Sequence, residues 1–95
     1  MIDINYELYK VFYHVASTLN FSEASKQLFI SQSAVSQSIK TLERKLDQTL
    51  FIRSTKKVQL TPEGEILMRH IEPAMNLIQK GEAQLIDAAS TGGQI

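Results

Sequence analysis

The stretch from residue 21 to residue 46, FSEASKQLFISQSAVSQSIKTLERKL, decides how this chain folds. It predicts two helices joined by a tight turn at Phe29 and Ile30. Ser22 is the candidate N-cap of the first helix and Ser31 of the second, because a serine hydroxyl can accept a hydrogen bond from a free backbone N–H. In the second helix, apolar residues recur at spacings of four, three and four, the stripe of an amphipathic helix. These residues are Val35, Ile39, Leu42 and Leu46.

The opposite face of the second predicted helix is short-chained and polar at its start and basic further along. A solvated surface is the ordinary explanation of such a face. Glutamine, serine and threonine can also bond base edges, and glutamine can bond adenine through two hydrogen bonds. Since a helix-turn-helix places the first turns of its second helix in the major groove, we expect this face to read bases. The candidates are Gln32, Ser33, Ser36 and Gln37, followed by Lys40, Thr41 and Arg44.

The formal net charge of the 95 residues is zero, but the charge is unevenly distributed. Residues 1–25 sum to −2, residues 26–60 to +5 and residues 61–95 to −3. A basic segment over the candidate base-reading helix is typical of a phosphate-binding surface. The charge distribution therefore favours a nucleic-acid partner, although such a surface could also meet an acidic protein.

Several other classes of protein are disfavoured by the sequence. There is no cysteine, hence no disulfide framework and no thiolate metal site. His14 and His70 form no metal or catalytic set, and no glycine-rich phosphate loop is present, so we expect neither a cofactor nor enzymatic activity. No segment approaches the roughly 20 apolar residues of a membrane span, and no signal-peptide pattern opens the chain. We expect a soluble cytoplasmic protein without a membrane partner.

The segments on either side complete a small domain. Apolar residues at spacings of three and four predict a first helix from Asn5 to about Leu19, ended by Asn20 in the left-handed conformation. Phe21 is expected to fill the core between the first two helices. Residues 50–52 and 58–60 predict two short strands, a hairpin wing with a basic tip, for which a flexible loop is the alternative. Its basic side chains are expected to be free to reach phosphates or a minor groove: Arg53, Lys56 and Lys57.

A long helix is predicted after the wing. Thr61 is a suitable N-cap and Pro62 a suitable first helical residue, and the pattern continues to about Ala89. Pro73 predicts a bend near Arg69 to Pro73. A heptad-spaced apolar seam indicates dimerisation with a second copy, and packing on its own domain is the alternative. The seam consists of Leu67, Ile71, Ala74, Ile78, Gly81 and Leu85, followed by Ala88. Residues 91–95 are predicted to fray.

Taken together, these residues resemble the N-terminal DNA-binding domain of LysR-type transcriptional regulators. The resemblance runs without gaps from about Tyr6 to Gly64. Its most specific parts are SQSAVSQSIKTLE at residues 31–43 and LFIRSTKKVQLTPEG at residues 50–64. Two residues depart from the family pattern, Asp47 in place of glycine and Ser25 in place of alanine. Aspartate tolerates left-handed backbone better than most residues, so the helix end before residue 47 is expected to survive.

The resemblance implies a mainly α fold, a winged helix-turn-helix of three helices and a two-stranded wing (1–60) followed by a dimerisation helix (61–90). It implies sequence-specific binding of double-stranded DNA for transcription regulation, by a homodimer on an interrupted palindrome that begins with T and ends with A. Ser22, Lys40, Thr41 and the wing would contact phosphates. A small-molecule effector would act only through a domain that this chain lacks, so an excised fragment is expected, with a naturally short protein as the alternative. The alternative function is a protein-interaction module acting through the long helix.

Overall fold

The computed structural model describes residues 3–91, with side chains up to residue 88. It is mainly helical, with three helices, a two-stranded antiparallel sheet and a long final helix, so the predicted fold class is confirmed. The elements are α1 (Tyr6–Thr18), α2 (Phe21–Leu28), α3 (Gln32–Leu46), β1 (Phe51–Arg53), β2 (Val58–Leu60) and α4 (Pro62–Thr91).

The core lies where α1, α2 and α3 meet. Each helix buries the apolar face that its periodicity predicted, and the entry to the wing closes the core from the side. The Phe51 ring lies 5.4 Å from that of Phe12 and 6.1 Å from that of Phe21, so the wing is joined to the first two helices by aromatic contacts. The most deeply buried large side chains are Phe12, Val15, Val35, Leu42 and Leu50.

The connection between α1 and α2 differs from the prediction. Ser22 is not the N-cap of α2, because the helix already begins at Phe21 and Asn20 Oδ1 accepts the backbone N–H of Glu23 at 2.9 Å. Asn20 is not left-handed either, because its backbone is extended with φ of −152°, and Leu19 takes the left-handed conformation with φ of 51°. Leu19 therefore ends α1, and the next residue, Asn20, is the N-cap of α2.

Three other predicted helix ends, at Ser31, Asp47 and Thr61, are confirmed. Ser31 Oγ accepts the N–H of Ala34 at 3.1 Å, and Thr61 Oγ1 accepts that of Gly64 at 3.0 Å. Asp47 ends α3 in the left-handed conformation, with φ of 55°. The departure from glycine at this position is therefore accommodated by the backbone.

The wing is the hairpin that the sequence predicted. Its register pairs Phe51 with Leu60 and Arg53 with Val58. The tip is ordered by Ser54, whose N–H donates to the Lys57 carbonyl at 2.9 Å and whose Oγ accepts the Lys57 N–H at 3.1 Å. Two lysines therefore project from a tip whose backbone has a defined conformation.

The segment that enters β1 joins α3 to α4. Glu43 Oε2, on α3, accepts the backbone N–H groups of Leu50 at 2.7 Å and Phe51 at 3.3 Å. Thr61, at the start of α4, donates its N–H to the Leu50 carbonyl at 3.0 Å and its hydroxyl to the Thr49 carbonyl at 2.6 Å. One short stretch of backbone therefore sets the position of α4 relative to α3.

The two halves of α4 have different surroundings. In the first half Leu67 and Ile71 are half-buried against the core of their own domain, and Met75, outside the predicted seam, is 4% exposed. The seam's first two positions therefore pack within the domain, as the alternative expected. From residue 76 to residue 88 every side chain is exposed.

The helix α4 is not interrupted at Pro73, and the bend expected near that residue stays a prediction. Thr91, predicted to fray, is the last helical residue. The other residues of the predicted frayed tail, 92–95, lie outside the described part of the chain.

Candidate nucleic-acid interface

The first two turns of α3 present a polar face to solvent. Gln32, Ser33 and Gln37 are exposed, while Val35 and Ile39 hold the other side of the helix in the core. The hydroxyls of Ser31 and Ser33 lie 3.1 Å apart, so the N-cap also orients the start of this face. Amide and hydroxyl groups are thus available where a recognition helix meets base edges.

Three further predicted contact residues, besides Ser33, already have hydrogen-bond partners within the domain. Ser36 is half-buried, and its Oγ accepts a hydrogen bond from the Arg53 guanidinium at 2.7 Å. Thr41 is half-buried and donates its hydroxyl to the Gln37 carbonyl at 2.9 Å. The Arg53 side chain, which was expected to be free, is therefore already engaged within the domain, and its contact with phosphates stays a prediction. This side chain bridges the wing to α3, and the Arg53 Cζ also lies 3.5 Å from the centroid of the Phe21 ring.

An open groove runs between the start of α2, the start of α3 and the wing. It brings together residues that the sequence places in three separate stretches: Ser22, Gln32, Ser36, Arg53, Lys56 and Lys57. The other four predicted contact residues, Ser33, Gln37, Lys40 and Thr41, do not line it. Lys40 lines a smaller neighbouring depression together with Ser36 and Arg53. Three guanidinium and ammonium groups along one wall suit an anionic partner.

Sequence reasoning missed several residues of this groove. Asn20, Ser54 and Thr55 line it as well, and so does Phe21, which had been assigned only to the core. The polar wing tip was a usable signal for residues 54 and 55. The groove-facing position of the Phe21 ring had no signal in the sequence, because it depends on how the wing folds back over α2.

Other kinds of site are not evident in the described residues. Between residues 3 and 91 no group of three or more His, Asp or Glu side chains is arranged to hold a metal ion. His14 Nδ1 lies 2.7 Å from Gln27 Oε1, a contact between α1 and α2. Within the same residues, no helix is both long enough and apolar enough to cross a membrane.

The fold and the groove define a winged helix-turn-helix domain, with α3 in the position of the recognition helix. The family model described as "Bacterial regulatory helix-turn-helix protein, lysR family" matches residues 6–65, well over half of the chain. The chain belongs to the LysR family.

Curated relatives agree with this assignment. The chain is 43% identical over 76 residues to the HTH-type transcriptional regulator PerR of Escherichia coli (strain K12), covering 80% of this chain and 26% of that protein. It is 38% identical over 79 residues to the HTH-type transcriptional regulator HdfR of Yersinia enterocolitica serotype O:8, covering 83% and 27%. The chain therefore spans about a quarter of the length of the curated relatives it matches.

Solved structures share the fold. The CbnR_DBD–DNA complex superposes with a TM-score of 0.75 at 26% identity, covering 90% of this chain and 99% of that one. The hydrogen-peroxide-bound C206S mutant of Corynebacterium glutamicum OxyR gives 0.81 at 29% identity, covering 90% and 26%. The BenM_DBD/catB site 1 DNA complex gives 0.80 at 24% identity, covering 92% and 98%, a likeness of fold.

Proposed function

We propose that this chain binds double-stranded DNA in a sequence-specific manner to regulate transcription. The observation that carries the proposal is the groove in which the polar start of α3 and the basic wing meet. An α-helix fits the major groove, and a cationic hairpin beside it can hold the flanking backbone. The CbnR_DBD structure, which shares this fold at 26% identity, is a complex with DNA, and this likeness supports the same assignment.

The residues divide into two roles. Gln32, Ser33 and Gln37 lie exposed on one face of α3 and are proposed to read base edges, with Ser36 beside them. A second set is proposed to contact phosphates, because its members are cationic or carry hydroxyls at the edges of that face. This set consists of Ser22, Lys40, Thr41, Arg53, Lys56 and Lys57.

The proposed active species is a homodimer joined along α4. Beyond Met75 the helix exposes Ile78 and Leu85, the latter 74% exposed, with Ala74 and Gly81 allowing close approach. A second copy of the same helix can cover this row through a two-fold symmetric contact. The dimer would place two α3 helices in successive major grooves of an interrupted inverted repeat, with half-sites about one helical turn, roughly 34 Å, or a multiple of it apart.

The experiment is selection of duplexes from a random-sequence pool by the purified chain. Titrations by fluorescence anisotropy then compare the selected duplex with a shuffled duplex of the same composition. We expect an inverted repeat and a clear preference for it over the shuffled sequence. Failure to enrich any sequence, together with absence of binding at low salt, would contradict the proposal.

Base reading by Gln37 is tested with Gln37→Ala in the same titrations. We expect the preference for the selected duplex to fall by about 1–3 kcal/mol, since one bidentate base contact is worth that much. Gln79→Ala is the matched control, because this exposed glutamine lies on α4, away from the groove. Equal losses on both duplexes would remove Gln37 from the base-reading set.

A protein-interaction module acting through α4 is the second candidate. The exposed apolar row of α4 favours it, because such a row can also bind a different protein. Retention on an immobilised nonspecific duplex as salt rises separates the two functions. A chain that elutes at the lowest ionic strength would favour the interaction module, since the wing and α3 would then hold no phosphates.

A further inference from the structure

Arg53 is held in place before any partner arrives. Its guanidinium donates to Ser36 Oγ at 2.7 Å, and its Cζ lies 3.5 Å from the centroid of the Phe21 ring. That ring is itself buried and packed edge-on against Phe51. Three elements, α2, α3 and β1, thus meet at one arginine on the wall of the groove.

Among the described residues, no hydrogen bond or ion pair uses the other donors of the Arg53 guanidinium. A guanidinium has five N–H donors, and the bond to Ser36 occupies one of them. Stacking on Phe21 fixes the plane of the group, so its other donors keep one orientation although the residue stays exposed. A planar fork of this kind matches the oxygens of a phosphate better than a mobile ammonium does.

The wing lysines differ from Arg53 in this respect. Lys56 and Lys57 are exposed, and within residues 3–88 their ammonium groups take part in no hydrogen bond or ion pair. Binding must order these two side chains, whereas the ordering cost of Arg53 is already met in the free protein. Ser36, in turn, has one lone pair taken by Arg53, which competes with any use of its oxygen as a base-reading acceptor.

We propose that Ser36 and Phe21 are positioning residues that hold Arg53 ready to bind a phosphate of the DNA backbone. The proposal rests on the DNA-binding function proposed above. In this proposal Ser36 acts through Arg53, and this role replaces the base reading considered for Ser36 above. Loss of the serine hydroxyl should then weaken binding to every sequence alike.

The binding experiment compares Ser36→Ala, Arg53→Ala and the double variant on the selected and shuffled duplexes over a range of salt. We expect Ser36→Ala to lower the affinity for both duplexes by the same factor, about 2- to 12-fold. This factor corresponds to the cost of ordering one long side chain on binding. We expect the double variant to bind no more weakly than Arg53→Ala alone. Ser36→Thr keeps the hydroxyl and should restore binding, and Ser17→Ala, an exposed serine of α1, is the control.

The salt dependence separates positioning from a general loss of structure. Arg53→Ala should lower the slope of log affinity against log salt by about 0.9, the value for one phosphate on B-DNA, and Ser36→Ala should lower it in the same direction. Thermal unfolding of Ser36→Ala should match that of the parent chain. A selective loss on the selected duplex, or independent losses that multiply in the double variant, would overturn the proposal.

A measurement without DNA tests the positioning by itself. In the free protein, nuclear magnetic resonance should show the Arg53 side-chain protons shifted upfield by the Phe21 ring, and Ser36→Ala should reduce that shift. An Arg53 side chain with unshifted resonances would overturn the positioning whatever the affinities are. If the shift is present but the parent chain binds no duplex, the proposed function fails and the phosphate role fails with it, while the positioning stands.

Discussion

Phe29 has a backbone conformation that an aromatic residue rarely adopts. It lies in the left-handed region with φ of 57°, and its side chain is 93% exposed. The conformation serves the turn, because the N–H of Phe29 donates to the Lys26 carbonyl at 3.3 Å and that of Ile30 to the Ser25 carbonyl at 3.2 Å. Left-handed backbone costs an L-residue about 1–2 kcal/mol, and an exposed ring offers no burial to offset it.

Phe29→Gly is therefore expected to stabilise the domain. The substitution removes the conformational penalty, and the greater freedom of glycine in the unfolded chain offsets part of the gain. We expect the free energy of unfolding to rise by about 0.5–1 kcal/mol. Urea unfolding followed by circular dichroism measures it.

The control for this substitution is Phe29→Ala, which removes the exposed ring but keeps the Cβ and so the strain. It should not share the gain. Equal stabilisation by alanine and glycine would show that the exposed ring, not the backbone conformation, carries the cost.

At the level of the elements, the segment that enters the wing, residues 49–51, connects α3 to α4. Glu43 of α3 and Thr61 of α4 both bond the backbone of residues 49–51. Gly64 lies so close to this backbone that a Cβ there would overlap the Leu50 carbonyl oxygen. The orientation of α4 relative to α3 thus depends on a contact that admits no side chain.

Gly64→Ala is expected to destabilise the domain by about 1–3 kcal/mol, the usual cost of forcing extra atoms into a packed site. Urea unfolding measures the change. Gly81→Ala is the matched control in the same helix, because a Cβ there meets no atom within 4 Å. Both variants are compared at a chain concentration low enough to keep the parent chain monomeric, because Gly81 lies in the proposed dimer seam and dimerisation contributes to apparent stability. Similar effects of the two substitutions would contradict the close contact.

The positive charge of the wing is predicted to strengthen binding to DNA of any sequence. Changing Lys56 and Lys57 together to alanine should weaken binding to selected and shuffled duplexes alike. The slope of log affinity against log salt should fall by about 1.8, if each lysine neutralises one phosphate. Lys10→Ala with Lys80→Ala removes the same charge away from the groove and serves as control. An unchanged slope in the wing variant would exclude the wing tip from the interface.

At the scale of the whole molecule, α4 has two tasks along its length. Its 30 residues extend for about 45 Å, in a molecule whose longest dimension is 54 Å. The first half completes the core through Met75, and the second half projects with its apolar residues exposed. The first positions of the seam are partly buried within the domain. Only the later positions are therefore available to a second copy of the helix.

Leu85→Lys tests the proposed dimer. In a two-fold contact each substitution removes two leucines from the interface, so the dissociation constant should rise by about 100-fold or more. Sedimentation equilibrium measures it. Gln79→Lys adds the same charge to an exposed position beside the seam and should leave the constant nearly unchanged. A parent chain that stays monomeric at high micromolar concentration would contradict dimerisation through α4.

Comparison of prediction with structure shows where sequence reasoning was sufficient. The stripe Val35, Ile39 and Leu42, the caps at Ser31 and Thr61, and the pairing of β1 with β2 were all predicted correctly. Each depends on residues that are at most nine positions apart along the chain. The N-cap of α2 was misplaced, because Asn20 and Ser22 are both good capping residues and the choice between them depends on how α1 ends.

The sequence by itself determined the helices, the wing and the polar face of α3, because periodicity, capping and turn chemistry act over short stretches of chain. Only the tertiary structure decided that Arg53 bonds Ser36, 17 positions away, and covers the ring of Phe21. It also decided that Met75 completes the core while Leu85 does not. These outcomes depend on the packing angles between elements. The hydrogen bonds to the backbone of residues 49–51 help to set those angles, and no short-range sequence pattern predicts them.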